Sequence, residues 1–436
     1  VKKALFGFFK ASLIGLAVGC TISLFKIVTF WVLQGQAMML ESSSLLLRMV
    51  YALSALAVIT ASYYMIKSDE RVAGSGVPWL IISVRRGVTY PKWYKSLSLM
   101  FINSLLSFYC GLPLGGEGPA AFMGGTLGEG ANQITKTPKD SDSVGAAAGA
   151  GFMAAFVSPL AGLSFIYEEH LAKLSWKSLL KSVVAIGFAL LAVYLIYPQS
   201  PIALPIITGF LADQKALLAF IVSLLLCVAA ALAVSHAIPL IRRLLHRHQH
   251  SFFTHHRLFF FALGIDILIF FVPLLSGSGT KLLAADLPSF ALGAIVLLFL
   301  ARLILFVLGA NSSATGGLVV PSLMLGAMAG YLGGSLFGLP SAEYPVIVLS
   351  SMICVFALLN KAPLTGLFLG ISFGGYLNIL KTIGPLLVAI LVAYLASRFF
   401  LKKSLYESTA DSLMRLSPKK LYPSSEAVED ASESDE

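Results

Sequence analysis

Four short stretches of this chain combine groups that can hold an anion with groups that can carry a proton. Gly115-Gly116-Glu117-Gly118-Pro119 sets one carboxylic acid among glycines, just before a proline suited to the first turn of a helix. Gly74-Ser75-Gly76-Val77-Pro78 has the same pattern with a hydroxyl instead of the acid, and Gly316-Gly317-Leu318-Val319-Val320-Pro321 has it with neither. Glycines such as Gly76, Gly116 and Gly118 let a ligand come against the backbone. A helix N-terminus offers free N–H groups and the positive end of the helix dipole. Together with the Ser75 hydroxyl these stretches form a candidate anion cradle without a full positive charge, which allows fast release. A carboxylate at Glu117 would occupy the same cradle and leave it when protonated or displaced by a substrate anion; the plainer alternative is a helix cap. The fourth stretch, Glu168-Glu169, ends an apolar run and is followed by Lys173, Lys177 and Lys181. One acid at an inner mouth and another in mid-pathway suggest a proton relay; the alternative is a polar helix end facing the headgroups.

The elements that must position these groups lie in a membrane. Of 436 residues, 57% are apolar and 12% charged, against roughly 25% charged in a soluble domain. That excludes a soluble globular enzyme, a disordered chain and a nucleic-acid binder, since the net charge of +10 is spread thinly and not gathered on one face. The reading is an all-α polytopic membrane protein. Apolar blocks near 4–33, 50–66, 97–134, 144–167, 178–197, 202–235, 258–275, 289–309, 316–338, 345–359 and 363–401 are in part too long for one span, and several are broken by Gly and Pro. Interrupted helices are tolerated at membrane depth where they line a cavity.

Lys and Arg cluster at 2–3, 85–95, 173–181, 242–257 and 402–420, which puts those loops in the cytosol and the chain, multi-pass, in the cell (inner) membrane. The apolar run after Lys2 and Lys3 is long enough for a retained helix in place of a cleaved signal. Six of the 21 acids fall between Glu426 and Glu436, leaving 21 − 6 = 15 before them. Residues 411–436 read as a polar, acidic, disordered tail with no regulatory domain after it. Cys20, Cys110, Cys227 and Cys354 read as buried free thiols. The histidines of 246–256 read as a solvated loop and not a metal site. No Ser/His or metal-ligand pair sits at matching depth, so neither an enzyme nor a cofactor is expected.

Three signatures recur in order. Gly74-Ser75-Gly76 returns at Gly277-Ser278-Gly279 (277 − 74 = 203), Gly115-Gly116 at Gly316-Gly317 (316 − 115 = 201), and Pro159-Leu160-Ala161-Gly162 at Pro363-Leu364-Thr365-Gly366 (363 − 159 = 204). Near-equal offsets point to a duplicated membrane domain, with halves of about 1–210 and 211–410, and a binding site where the halves meet. The alternative is that the glycines only permit close helix packing.

In order and spacing, Gly74–Pro78, Gly115–Pro119, Gly145–Glu169, Gly316–Pro321 and Ser404-Leu405-Tyr406 resemble the CLC family of chloride channels and chloride/proton antiporters, over nearly the whole chain outside the tail. The resemblance implies a fold of two inverted halves and a homodimer with a pore in each subunit. It implies that Ser75 and Tyr406 coordinate the central anion with their hydroxyls, and Leu318 and Val319 with their amides. Glu117 matches the gating glutamate and Glu169 the internal proton-transfer glutamate of the antiporter branch. Chloride and protons are then the substrates, with a passive chloride channel or a fluoride/proton antiporter as alternatives. Two departures bear on selectivity: Gly116 stands where the family often has Arg or Lys, which makes the outer entrance less positive, and Val319 stands where an aromatic is usual. The fluoride branch typically carries Met at the position of Ser75, so chloride is favoured. Asp266, in an apolar block, has no role in the pattern and is expected either to pair with Arg302 or to face a dimer partner; Glu129 reads as structural.

Overall fold

A computed structural model of the chain describes residues 2–87, 92–137, 140–200, 202, 213–248 and 251–416. The acidic tail beyond Leu416, residues 88–91 of one basic loop, residues 203–212 and His250 lie outside them. Regular structure among the described residues is helical, with two isolated β-bridges. The first half runs α1 (Lys2–Leu40), α2 (Leu45–Ser68), α3 (Val77–Arg86), α4 (Trp93–Tyr109), α5 (Glu117–Ile134), α6 (Ser141–Phe156), α7 (Pro159–Glu168) and α8 (Trp176–Ile196). After these come α9 (Gln214–Arg247), α10 (Phe252–His255), α11 (Arg257–Phe271), α12 (Lys281–Ala284) and α13 (Leu292–Asn311). The chain continues through α14 (Val319–Leu336), α15 (Tyr344–Asn360), α16 (Pro363–Gly374), α17 (Ile379–Phe400) and α18 (Leu405–Leu416). The last helix passes residue 411, where the sequence placed the start of the tail.

Among the described residues, eight helical segments are long and apolar enough to cross a membrane. The chain is a multi-pass integral membrane protein. Outward faces carry exposed Trp31, Leu53, Leu195, Phe271 and Phe399, which suit a lipid surround. Cys20 departs from the sequence expectation: it is exposed on α1, while Cys110, Cys227 and Cys354 are buried. A thiol is apolar enough to stand on such a face.

Small residues bring the central helices into backbone contact. A Cβ at Gly124 of α5 would lie 2.2 Å from the Ala147 carbonyl oxygen of α6, and one at Gly151 would lie 2.2 Å from that of Ala120. The second half repeats the device: a Cβ at Gly326 of α14 would lie 2.3 Å from the Ser351 carbonyl oxygen of α15. Lipid gives no hydrophobic drive between helices, so close packing of this kind holds them together. The helix starts also echo one another, with prolines in the first turn of α3, α7, α15 and α16.

A charge cluster ties three helices at the side of the basic loops. Lys10 of α1 donates to Asn132 Oδ1 (2.6 Å) and Thr137 Oγ1 (2.8 Å) and reaches Asp140 Oδ2 at 3.3 Å. Lys181 of α8 meets Asp140 Oδ1 at 2.9 Å. Asp140 also caps α6, accepting from the Ser143 amide and hydroxyl. Burial alone would raise the Asp140 carboxyl, but the hydrogen bonds from Lys181 and Ser143 and the two lysine charges outweigh it and hold it at about 2. A lowered carboxyl contributes stability that is complete above its unfolded value near ~4 and is lost as pH falls through the folded one. At neutral pH Asp140→Asn is therefore expected to cost about 2 kcal/mol or more, because Lys10 stays buried without its acid. Thermal melting in detergent checks this; an unchanged melting temperature would remove the cluster from the stability of the fold.

Candidate functional site

The three glycine stretches converge on one point where the halves meet. The Gly74 amide donates to the Ala314 carbonyl (3.1 Å), and the Gly316 amide donates back to the Gly74 carbonyl (2.9 Å). Gly115 and Gly317 exchange amide-to-carbonyl bonds of 2.8 and 2.7 Å, an antiparallel pairing of matching segments from the two halves. Residues outside the sequence motifs hold this junction. Thr315 Oγ1 donates to the Val72 carbonyl at 2.5 Å and accepts from Asn103 Nδ2 at 2.6 Å. Asn103, one of several polar residues on α4, was not singled out in the sequence.

The junction aims helix starts at a common volume. Gly76 is the N-cap of α3 with φ 73°, a left-handed conformation open to glycine, and a Cβ there would lie 2.4 Å from Cγ of Phe122. Gly116 is the N-cap of α5 and Leu318 the N-cap of α14, followed by Val319. Gly118, in the first turn of α5, packs so tightly that a Cβ would lie 2.6 Å from Cβ of Ser75 and 3.1 Å from Cα of Gly317. Ser75, Gly118, Gly317 and the start of α14 are thus brought together. Ser75 is buried, and its Oγ accepts from the Val77 amide at 3.3 Å.

Tyr406 enters from α18. Its buried hydroxyl has no hydrogen bond of normal geometry in the protein, yet it faces the Ser75 hydroxyl and the Leu318 amide. Two hydroxyls and helix-end amides around one volume make a cradle for a small anion. Tyr406 also lies within electrostatic reach of both Glu117 and Glu169.

Glu117 stands at one side of this cradle, 4% exposed. Its carboxylate faces the amides of Gly116, of Val320 and its own, and Oε2 has no protein partner. It therefore occupies the amide field as an anion would. A cavity of about 280 Å³ opens onto it, lined by Phe25, Lys26, Phe108, Gly116 and Ser278 among others. Glu168 and Glu169, adjacent in sequence, part company in space. Glu168 caps α16 of the other half, accepting from the Leu364 amide (2.8 Å), the Thr365 amide (2.8 Å) and the Thr365 hydroxyl (2.6 Å). Glu169 is 3% exposed, with only a long contact of 3.5 Å from Ser404 Oγ and a partnerless Oε1. Beyond it, Arg85 and Glu407 form an ion pair at 2.9 Å that joins α3 to α18.

Two further acids lie apart from the cradle. Glu129 accepts from Ser83 Oγ at 2.7 Å and ties α5 to α3. Asp266 and Arg302 do not pair: Arg302 Nη1 donates to the Gly277 carbonyl at 2.9 Å, while its Nε and Nη2, and Oδ1 of Asp266, have no hydrogen-bond partner. The shared burial that made the pair plausible in sequence does not bring the two side chains within bonding distance.

Comparison with known proteins bears on this arrangement. The sequence profile of the family described as "Voltage gated chloride channel" matches residues 53–398. A slow cyanobacterial Cl⁻/H⁺ antiporter superposes with a TM-score of 0.81 at 23% identity, covering 94% of this chain and 98% of its own. A CLC-type fluoride/proton antiporter gives 0.75 at 20% identity, covering 92% and 97%. A eukaryotic CLC transporter gives 0.74 at 18% identity, covering 93% and 74%. At these identities the likeness establishes the fold, which is that of the CLC transporters.

Proposed function

Because the chain belongs to the voltage-gated chloride channel family, we propose that it is a secondary active transporter exchanging chloride for protons in the cell (inner) membrane. Chloride binds at Ser75, Tyr406 and the amides of Leu318 and Val319, with Gly76, Gly116 and Gly118 leaving the backbone open to it. Glu117 competes with chloride for the amides when ionised and carries a proton when it swings out. Glu169 passes that proton to the side of the basic loops. The two halves, about 1–210 and 211–410, form one subunit of a homodimer, each subunit with its own pathway.

One observation carries the choice of antiport over a passive channel. A second carboxylic acid, Glu169, is buried within electrostatic reach of Tyr406, with no cation bonded to it. A channel has no use for an ionisable group that costs several kcal/mol to bury, whereas a proton path does. Ser75 and its hydroxyl favour chloride over fluoride.

The test is a paired measurement in proteoliposomes. An imposed chloride gradient should drive protons uphill, with both fluxes recorded on the same vesicles. Chloride movement without protons would make the protein a channel. Faster fluoride than chloride exchange would make it a fluoride/proton antiporter.

A further inference from the structure

Lys26 sits deep in α1, sixteen residues beyond the Lys10 cluster, or roughly 24 Å along the helix toward the face opposite the basic loops. An ammonium in an apolar span requires compensation. Among the described residues no carboxylate lies within ion-pair distance of Lys26, although Lys10, Lys181, Lys281 and Lys403 each have one. Lys26 instead donates to two main-chain carbonyls, Ala154 near the C-terminus of α6 (3.2 Å) and Tyr197 at the C-cap of α8 (3.3 Å). Two helix ends, each the negative pole of its dipole, thus steady the charge without neutralising it. The ammonium also lies 5.4 Å from the centroid of the Tyr197 ring, a cation–π contact that again steadies the charge without neutralising it.

The same ammonium group's residue lines the cavity of about 280 Å³ that opens onto Glu117. The other walls supply aromatic and aliphatic carbon from Phe25, Phe30 and Leu114, and hydroxyls from Thr29, Ser278 and Thr280. Lys26 is the only Lys or Arg among the described lining residues. Arg302 is not among the lining residues: it is 3% exposed and bonded to the Gly277 carbonyl. Lys281 is spent on Glu41 at 2.5 Å. Gly115 and Gly116, which line the cavity beside Glu117, carry no charge.

A mouth whose one acid is Glu117 repels anions unless a cation offsets it, and a low-dielectric cavity strengthens whatever charge it holds. We propose that Lys26 is the anion-attracting residue of the outer vestibule, a waiting site from which a small inorganic anion exchanges with the Glu117 carboxylate. This rests on the transport reading above, but not on proton coupling, because an uncoupled anion pathway would need the same entry.

The experiment uses the full chain in proteoliposomes of defined orientation, with the initial anion flux measured against chloride on the outer face at fixed inner chloride, and then the reverse. Lys26→Gln keeps a donor for the two carbonyls and removes the charge; Lys26→Arg keeps the charge. The expected result is that Lys26→Gln weakens apparent chloride affinity at the outer face by roughly fivefold or more, leaves the inner face and the maximal rate near wild type, and loses much of the salt dependence of entry. Lys26→Arg should stay close to wild type. If Lys26 only ties two helix ends, the two variants will fall together or Lys26→Gln will keep the wild-type outer affinity, and either result overturns the proposal. Wild-type protein that moves no anion at all would remove the transport reading together with this one.

Discussion

Glu117→Gln is expected to move chloride and no protons. The amide side chain has nearly the shape of the carboxylate and can lie against the same amides of Gly116 and Val320, but it has no proton to release. On the proposed mechanism the ionised wild-type carboxylate competes with the anion for the amide field, and protonation weakens that hold because the helix-end dipoles favour the charged form. Lowering pH should therefore speed wild-type anion exchange by freeing the amides. In Glu117→Gln that pH dependence should vanish, and gradient-driven proton movement should fall by about 100-fold or more, the scale on which a positioned proton carrier contributes. Anion flux should persist, since Ser75, Tyr406 and the starts of α3 and α14 are untouched. The check is the paired chloride and proton recording at two pH values; coupled transport that survives in Glu117→Gln would take this residue out of the mechanism.

That prediction draws on residues that were legible in sequence because their chemistry is local. A Gly-Gly-Glu-Gly-Pro string states that a backbone is bare, a helix is starting and an acid is present, and the structure meets all three at Gly115–Pro119. The glycine segments that the sequence matched also lie side by side, with Gly115 and Gly317 bonded to one another. What could not be read was any contact set by side-chain direction across helices. The Asn103–Thr315–Val72 clamp joins residues more than two hundred positions apart, and nothing in their types names the partner. Asp266 and Arg302 shared burial and opposite charge, yet the guanidinium went to a carbonyl of the Gly277 loop. Lys26 was passed over in the sequence, because its meaning depends on which cavity α1 borders, a property of packing and not of the string. Glu168 and Glu169 make the limit plainest. Sequence offered them as one polar pair, and a turn of backbone at the end of α7 sends them to different surroundings.

Glu169→Gln should stop proton transport at its inner end while sparing the anion. Glu169 is the C-cap of α7 and is buried, and its nearest donor is the Ser404 hydroxyl at 3.5 Å, two residues before Tyr406. No bond of normal length to a cation holds it, so its side chain contributes little to the fold that a neutral amide of equal size would not. Replacing it should leave the melting temperature nearly unchanged and lower proton flux by about 100-fold or more, with chloride exchange continuing through the cradle at Ser75. Glu168→Gln should do the reverse. Its carboxylate accepts three hydrogen bonds at the start of α16, two from main-chain amides that have no partner within the helix. Loss of that charge-assisted cap costs about 1–2 kcal/mol, which appears as a lower melting temperature, while the ratio of protons to chloride stays that of the wild type. Adjacent residues of the same type with opposite outcomes separate a proton path from general damage at this end of α7. If Glu168→Gln loses coupling and Glu169→Gln keeps it, the inner proton route runs through the capped acid, and the roles assigned to the pair must be exchanged.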